Sequence, residues 1–288
     1  MEFSILLPTW NNLDLLKLCV ESIRKNSRFK HEIILHINEG TDGTLEWAEQ
    51  EKTRDPLFHY TYSKKNSGIC FALNAASHLA NKDFVAYIHD DMYCCPDWDK
   101  YLAEVIVACG EAPFCLSSTM IERRHTRNPC VVEGDFGDSP LHFKEAALLD
   151  ACRLGQLNRS NWLGSTWTPL VMRTSSWRLV GGLSTEYFPG MSSDDDLSMK
   201  LWHSGCRIFI GVGKSLAYHF MSKSNVRVQK NPGRQQFLNK WGLTQSTFNR
   251  HYLRKGEPSF LITPLSDPKK NLRFYGDLMR GWLKTWIK

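Results

Sequence analysis

The most constraining feature of this chain is an alternation, over its first 120 residues, between short apolar runs and segments whose apolar residues recur at helical spacing. Phe3–Leu7 is an apolar run that Pro8 is expected to stop, and Leu16, Cys19, Val20 and Ile23 then repeat every three or four residues. Glu32–Ile37 reads as a second strand, followed by the turn Glu39-Gly40-Thr41-Asp42-Gly43 and a helix near Thr44–Lys52. Phe58–Tyr62 is a third strand, Ile69, Ala72, Leu73, Ala76 and Leu79 mark the next helical face, and Phe84–Ile88 is a fourth strand. A strand shows its side chains with a period of two and a helix with a period of 3.6, so the two patterns are separable. Strands joined by helical crossovers predict an α/β fold with a doubly wound, mainly parallel sheet. Ligands of such sheets lie beyond the carboxyl ends of the strands. That places interest on 8–12, 38–40 and 89–92.

Beyond this region the pattern loosens. Residues 122–165, which include Arg123-Arg124-His125, read as an insertion or lid. Thr168–Arg173 is expected to be a strand, Asp194–His203 a helix, Arg207–Ile210 and Leu216–Phe220 further strands, and Trp241–Arg254 helical. No apolar run reaches the ~18–20 residues needed to span a bilayer. Met1–Pro8 has no basic stretch of the kind that opens a secretory signal. Nine cysteines without C-x-x-C spacing fit reduced thiols in a cytosolic protein better than a disulfide framework or a zinc site.

Two acidic clusters could carry chemistry. His89-Asp90-Asp91 follows the fourth strand, where the sheet opens to ligand. Adjacent carboxylates there suit a hard divalent cation bridging phosphates, and the alternative is a solvated turn. Ser192-Ser193-Asp194-Asp195-Asp196 opens a helix. Acids are favoured at helix N-termini, but three in succession exceed what a cap requires, and one could serve as a general base. Gly211-Val212-Gly213-Lys214-Ser215 ends like a phosphate-binding loop, but Ile208 stands where its first glycine belongs.

Several segments resemble the sequence pattern of glycosyltransferase family 2. Pro8-Thr9-Trp10-Asn11 resembles the P-x-Y-N that closes its first strand, and Asn38-Glu39-Gly40-Thr41-Asp42-Gly43-Thr44 its D-D-G-S-T-D-G-T, one residue short. Asn66-x-Gly68-x-x-x-Ala72-x-Asn74 is similar to N-x-G-x-x-x-A-x-N, and His89-Asp90-Asp91 falls where the D-x-D metal motif belongs, followed by Pro96-Asp97-Trp98. Gly181-Gly182 with Asp194-Asp195-Asp196-Leu197-Ser198 resembles G-G…E-D-x-D-L-S, Ser204–Ile208 follows as in the family, and Tyr218-His219-Phe220 matches its late histidine. The matches run in the family's order over residues 3 to about 222. Asn38-Glu39 replaces an Asp pair, His89 stands in for the first Asp of D-x-D, and Ser193 for the Glu of E-D.

The resemblance implies a GT-A fold and transfer of one sugar, with inversion, from a nucleotide-diphospho-sugar donor, most readily a UDP-sugar. The acceptor would be a hydroxyl of a glycan or lipid-linked molecule, as in cell-surface glycan or lipid-linked oligosaccharide synthesis. It assigns Asp91 and His219 to a divalent metal, Mn2+ or Mg2+. Pro8, Thr9, Trp10, Glu39, Asn66, Gly68 and Asp90 fall to the nucleotide sugar, and Asp194 to proton removal, with Asp195 or Asp196 as the fallback. Residues 1–120 would form the donor half of the domain, 121–222 the acceptor half and 223–288 a C-terminal helical extension. Trp162, Trp167, Trp177, Tyr187 and Phe188 could stack on sugar faces or simply fill the core. The alternatives are a GT-A-like protein that binds nucleotide or glycan without turnover, and a sugar-phosphate nucleotidyltransferase. The latter would need a glycine-rich basic loop that Pro8–Asn12 does not provide.

The net charge of +6 is concentrated at the C-terminus, where Lys269, Lys270, Arg273, Arg280, Lys284 and Lys288 face the single acid Asp277. A nucleic-acid partner would require a broader basic face and a recognisable module, so none is expected. Leu272, Tyr275, Leu278, Met279, Trp282, Leu283, Trp286 and Ile287 form an apolar helical stripe. A basic, tryptophan-containing amphipathic helix over 269–288 suits a peripheral membrane contact of a cytoplasmic protein; the alternative is a helix docked on the body or on a second subunit.

Overall fold

The computed structural model describes residues 1–124, 126, 128–221 and 231–286, with side chains described up to 283. His125, residues 223–230, Ile287 and Lys288, and the side chains of Lys284 and Trp286, lie outside the described residues. The expected alternation is realised in order: β1 (Phe3–Trp10), α1 (Leu13–Asn26), β2 (Glu32–Asn38), α2 (Thr44–Arg54), β3 (Phe58–Ser63), α3 (Gly68–Ser77) and β4 (Phe84–Tyr87). Next come β5 (Met92–Cys94), α4 (Trp98–Cys109), β6 (Phe114–Glu122), β7 (Val131–Glu133), α5 (Glu145–Arg153) and β8 (Trp162–Leu163). The remainder comprises β9 (Leu170–Arg173), α6 (Thr174–Leu179), α7 (Ser193–His203), β10 (Ile208–His219), α8 (Gly233–Trp241) and α9 (Leu272–Trp286).

One sheet organises the chain, in the order β3-β2-β1-β4-β9-β6-β10-β5, with β7 beside β6 and β8 beside β10. Its first four strands are parallel, as are β6 and β10. The sheet is more mixed than the sequence suggests, because β9 runs antiparallel between β4 and β6, and β5 and β8 run antiparallel to β10. The strand β6 spans residues 114–122 and lies inside this continuous sheet.

Pro8 does not end β1, which continues to Trp10. Leu6 turns its carbonyl to Ile88 on the β4 side, so the ring nitrogen of Pro8, two residues on, faces the same side. The last pairing of β4 is Tyr87 with Leu6, so no ladder bond is lost there. The two strands expected over 207–220 are one, β10, with a register shift between Val212 and Leu216. That irregularity absorbs Gly213-Lys214-Ser215, the tail of the loop-like motif. The segment over 122–165 is not a free lid. Leu148, Ala151 and Leu157 pack with Leu15, Tyr93, Ile121 and Tyr218 in a small second core, and Tyr218 donates to the Gly137 carbonyl at 2.5 Å.

The main core lies between the sheet and its helices. Leu15, Leu16, Cys19, Val20 and Ile23 are the buried apolar face of α1, as their spacing predicts. All nine cysteines are free thiols, and eight of them are buried. Trp162, Trp177 and Tyr187 are buried core residues rather than sugar platforms, whereas Phe188 is half exposed. Among the described residues no helix is long and apolar enough to cross a membrane.

Candidate active site

The carboxyl ends of β1, β2 and β4 and the end of β10 converge on one edge of the sheet. There the turn after β2 is held by side-chain bonds that its sequence encodes. Asp42 accepts from the first amide of α1, Leu13, at 2.9 Å, and from its own Thr44 hydroxyl at 2.6 Å, so one carboxylate caps two helices. Glu39 sits in the left-handed region at φ 64° and accepts from the Trp10 indole (2.8 Å), the Asn11 amide (3.2 Å) and the Asn66 backbone (3.3 Å). Glu39 therefore fixes the end of β1 to the loop before α3. Asn66 caps the amide of Gly68 at 2.9 Å, and Asn38 accepts from both the amide and the hydroxyl of Ser67. Gly68, at φ 75°, has no room for a side chain: a Cβ would lie 2.7 Å from the Phe188 ring and 3.2 Å from the Pro189 carbonyl.

Thr9 at the end of β1 donates to Asp90 at 2.6 Å. Asp91, nearly buried, faces His219 across 3.5 Å, and the other nitrogen of His219 meets Glu122 at 3.0 Å. His89 completes the group, with the ligand atoms of His89, Asp91 and His219 within 4.8 Å of one another. Burial disfavours charge on both imidazoles, with opposite outcomes. For His219 the Asp91 and Glu122 carboxylates override it and push the group up to about 10. For His89 burial prevails, Asp91 only partly offsets it, and the group drops to about 4. His89 thus stays neutral near pH 7. Its Nε2 is engaged by the Tyr87 hydroxyl at 2.6 Å, which leaves Nδ1 for a ligand.

These residues fit a divalent cation. The set has one carboxylate, the neutral His89 imidazole and His219, which must release its proton to bind a cation. Glu122 orients one imidazole and Tyr87 the other, as ligating histidines usually require. Mixed nitrogen and oxygen donors suit Mn2+ better than Mg2+, which prefers oxygen throughout. Glu122 and Tyr87 escape a sequence reading. Glu122 does end a strand, which is where ligands are sought, but no motif marks it; Tyr87 reads as an ordinary core aromatic.

The second acidic cluster separates into three fates. Asp195 accepts from Gln245 (2.6 Å) and Asn249 (3.0 Å). Asp196 accepts from Ser184 (2.6 Å) and Trp241 (2.8 Å) and pairs with Lys240 at 3.0 Å. Both tie α7 to the C-terminal segments. Asp194 is different, because its buried Oδ1 has no hydrogen-bond partner among the described residues. Burial, together with the neighbouring Asp195 charge and against the pull of Lys255, raises it to about 7. Burial pushes the Tyr87 hydroxyl well above its usual range, and the Asp194 and Asp91 charges add to the effect. Lys255 also lies 3.9 Å from the centroid of the Trp167 ring.

A family model described as glycosyl transferase family 2 matches residues 4–128. Among curated proteins, the putative teichuronic acid biosynthesis glycosyltransferase TuaG of Bacillus subtilis (strain 168) is 31% identical over 88 residues, which is 31% of this chain and 35% of that protein. An uncharacterized protein, y4gI of Sinorhizobium fredii, is 26% identical over 212 residues, 70% of this chain and 23% of that protein. The chain thus spans about a third or less of these relatives. Among solved structures, GalNAc-T7 with UDP, GalNAc and Mn2+ aligns at a TM-score of 0.56 and 14% identity, covering 81% of this chain and 45% of that one. The mannosyltransferase PcManGT of Pyrobaculum calidifontis, with GDP-Man and Mn2+, gives 0.53 and 14%, covering 90% and 65%. S. aureus TarS 1-349 with UDP gives 0.50 and 16%, covering 77% and 59%. At such identities the likeness is one of architecture. Residues 4–128 thus match the glycosyl transferase family 2 model, and the sheet that continues beyond them completes the GT-A architecture of these neighbours.

Proposed function

We propose that this chain transfers a single sugar, with inversion, from a nucleotide-diphospho-sugar to an acceptor hydroxyl, with Asp194 as the general base. The observation that carries the reading is the environment of Asp194: among the described residues its buried Oδ1 has no hydrogen-bond partner, whereas Asp195 and Asp196 are both bonded, and burial with the Asp195 charge raises Asp194 to about 7. In a single displacement the acceptor oxygen forms its bond to the anomeric carbon from the face opposite the diphosphate. The carbon–oxygen bond to the phosphate breaks, its electron pair leaves with the nucleoside diphosphate, and the acceptor proton passes to Asp194. One base suffices for inversion, and a group with its pKa near the working pH is the efficient choice.

The donor's base and ribose would lie along Pro8, Thr9, Trp10, Glu39 and Asp90, with Asn66 and Gly68 beside the phosphates. UDP is favoured over other nucleotides, since two of the structural neighbours are described with UDP. Asp91, His219 and His89 would hold a divalent cation, which supplies charge stabilisation to the departing diphosphate. Manganese is the better fit to this donor set, and two neighbours are described with it. The acceptor would be a hydroxyl on a cell-surface glycan or a lipid-linked precursor, and the protein would work in the cytoplasm.

The test is turnover of UDP-sugars and GDP-sugars with and without Mn2+, read as release of the nucleoside diphosphate. Release that needs metal and falls at least a hundredfold in Asp194→Asn, with donor affinity retained, supports the assignment. Full turnover by Asp194→Asn would remove Asp194 as the base. Donor binding without turnover under any condition would favour a non-catalytic binding protein.

A further inference from the structure

We propose that the outward face of α9 is a docking surface for an anionic lipid bilayer. The sequence offers a docked helix and a membrane helix as alternatives; the structure shows a helix able to be both at once. Its body-facing side is narrow. Phe274 is buried with its ring edge-on to His251, 5.2 Å between centroids, Leu278 packs on the main core, and a Cβ at Gly281 would lie 3.2 Å from Thr244. A quarter to a third of a turn away lies a second apolar stripe. Leu272, Tyr275, Met279, Trp282 and Leu283 are each at least half exposed, and Leu272 is 92% exposed. At 100° per residue these side chains span one contiguous arc that excludes Phe274, Leu278 and Gly281.

The charge pattern selects the occupant. Asp277, the one acid between 269 and 288, is turned inward, where Arg250 and His251 hold it at 2.7 and 2.9 Å. The outward arc itself carries no acid and is flanked by Arg273 and by Arg280, whose guanidinium lies 3.7 Å from the inward Asp277, with Lys269 and Lys270 just before the helix. A second copy of the chain docked through the same arc would bring like charges together with no carboxylate to pair them. An anionic bilayer offers apolar depth for the stripe and negative headgroups for its rim. The 15 described residues of α9, about 22 Å long at 1.5 Å per residue, with one apolar stripe beside basic residues, suit lying in the interface plane.

The test is sedimentation of the full chain with vesicles of phosphatidylcholine alone and of phosphatidylcholine with phosphatidylglycerol. Binding is expected only to the anionic vesicles. It should weaken at least tenfold in Tyr275→Ser/Met279→Ser/Leu283→Ser and in Arg273→Gln/Arg280→Gln, since each basic residue near such a surface is worth roughly fivefold in affinity. Failure to bind anionic vesicles, or binding that ignores both variants, overturns the proposal. So does a dimer in solution that the serine variant dissociates without any vesicle binding, which would assign the stripe to a second copy. Because none of these readouts uses sugar transfer, the outcome is independent of the catalytic assignment.

Discussion

The Glu122 carboxylate lies 3.0 Å from Nδ1 of His219 and so presents the opposite ring nitrogen to Asp91 at 3.5 Å. A carboxylate behind a ligating imidazole fixes its tautomer and raises its basicity. Glu122→Gln keeps the shape and loses the charge. Calorimetric titration with Mn2+ should show binding weaker by about tenfold, at the lower end of what loss of such a partner costs. Tyr87→Phe, which frees Nε2 of His89, should act in the same direction. Unaltered manganese affinity in both variants would mean that these histidines do not hold the ion.

Asp194 links activity to pH. With its pKa raised to about 7, the base is half protonated near neutrality, so kcat/KM should rise with pH through about 7 and then level off. Stability runs the other way. A carboxyl raised above its unfolded value imposes no cost below about 4, where both states are protonated, and a full cost above about 7. Asp194→Asn should therefore gain more in Tm, relative to the parent, at pH 8 than at pH 4.5, at roughly 2–4 °C per kcal/mol for a chain of this size class. Loss of turnover with a pH-independent change in Tm would contradict a buried, strained carboxyl at this position.

The contrast between Asp194 and its neighbours shows what could be read in advance. The strands and helices up to β4 were legible because apolar spacing reports burial directly, and the strand-end rule points to the sheet edge that carries the candidate site. The choice among Asp194, Asp195 and Asp196 was not legible. It depends on Gln245, Asn249, Ser184 and Trp241, which reach the cluster from up to 54 residues away in sequence. Glu122 was hidden for the same reason, being 97 residues from the histidine it orients. Pro8 misled because its effect on a strand depends on which neighbour its missing N–H would have faced.

Glu39 is committed to the protein, with its oxygens on Trp10, Asn11 and the Asn66 backbone. Its role in donor recognition should then be to hold Trp10 in place. Glu39→Gln substitutes an amide, which cannot accept through its nitrogen, so at least one of these bonds is lost. The expected kinetic signature is a KM for the nucleotide sugar raised about fivefold to tenfold, with kcat nearly unchanged, since a net hydrogen bond of about 1 kcal/mol in positioning is at stake. A fall in kcat at constant KM would place Glu39 in the chemical step instead.

Gly68 joins the loop before α3 to the segment carrying Phe188 and Pro189. Its amide is capped by Asn66, and the next amide, Ile69, donates to the Pro189 carbonyl at 3.0 Å. Gly68→Ala meets two penalties: a left-handed backbone that costs an L-residue about 1–2 kcal/mol, and a Cβ pressed against Phe188 and the Pro189 carbonyl. Gly242 supplies the control, since it has φ 69° with nothing within 4 Å of a Cβ and should show only the first penalty. Urea unfolding should find Gly68→Ala destabilised by about 1–3 kcal/mol beyond Gly242→Ala, the range for strain that the surroundings must absorb. The exposed Phe188 ring can yield, but the backbone carbonyl behind it cannot retreat as freely. Donor KM should therefore rise in Gly68→Ala and stay unchanged in Gly242→Ala. Equal destabilisation in the two variants would mean that the segment carrying Phe188 and Pro189 does not press on the loop before α3.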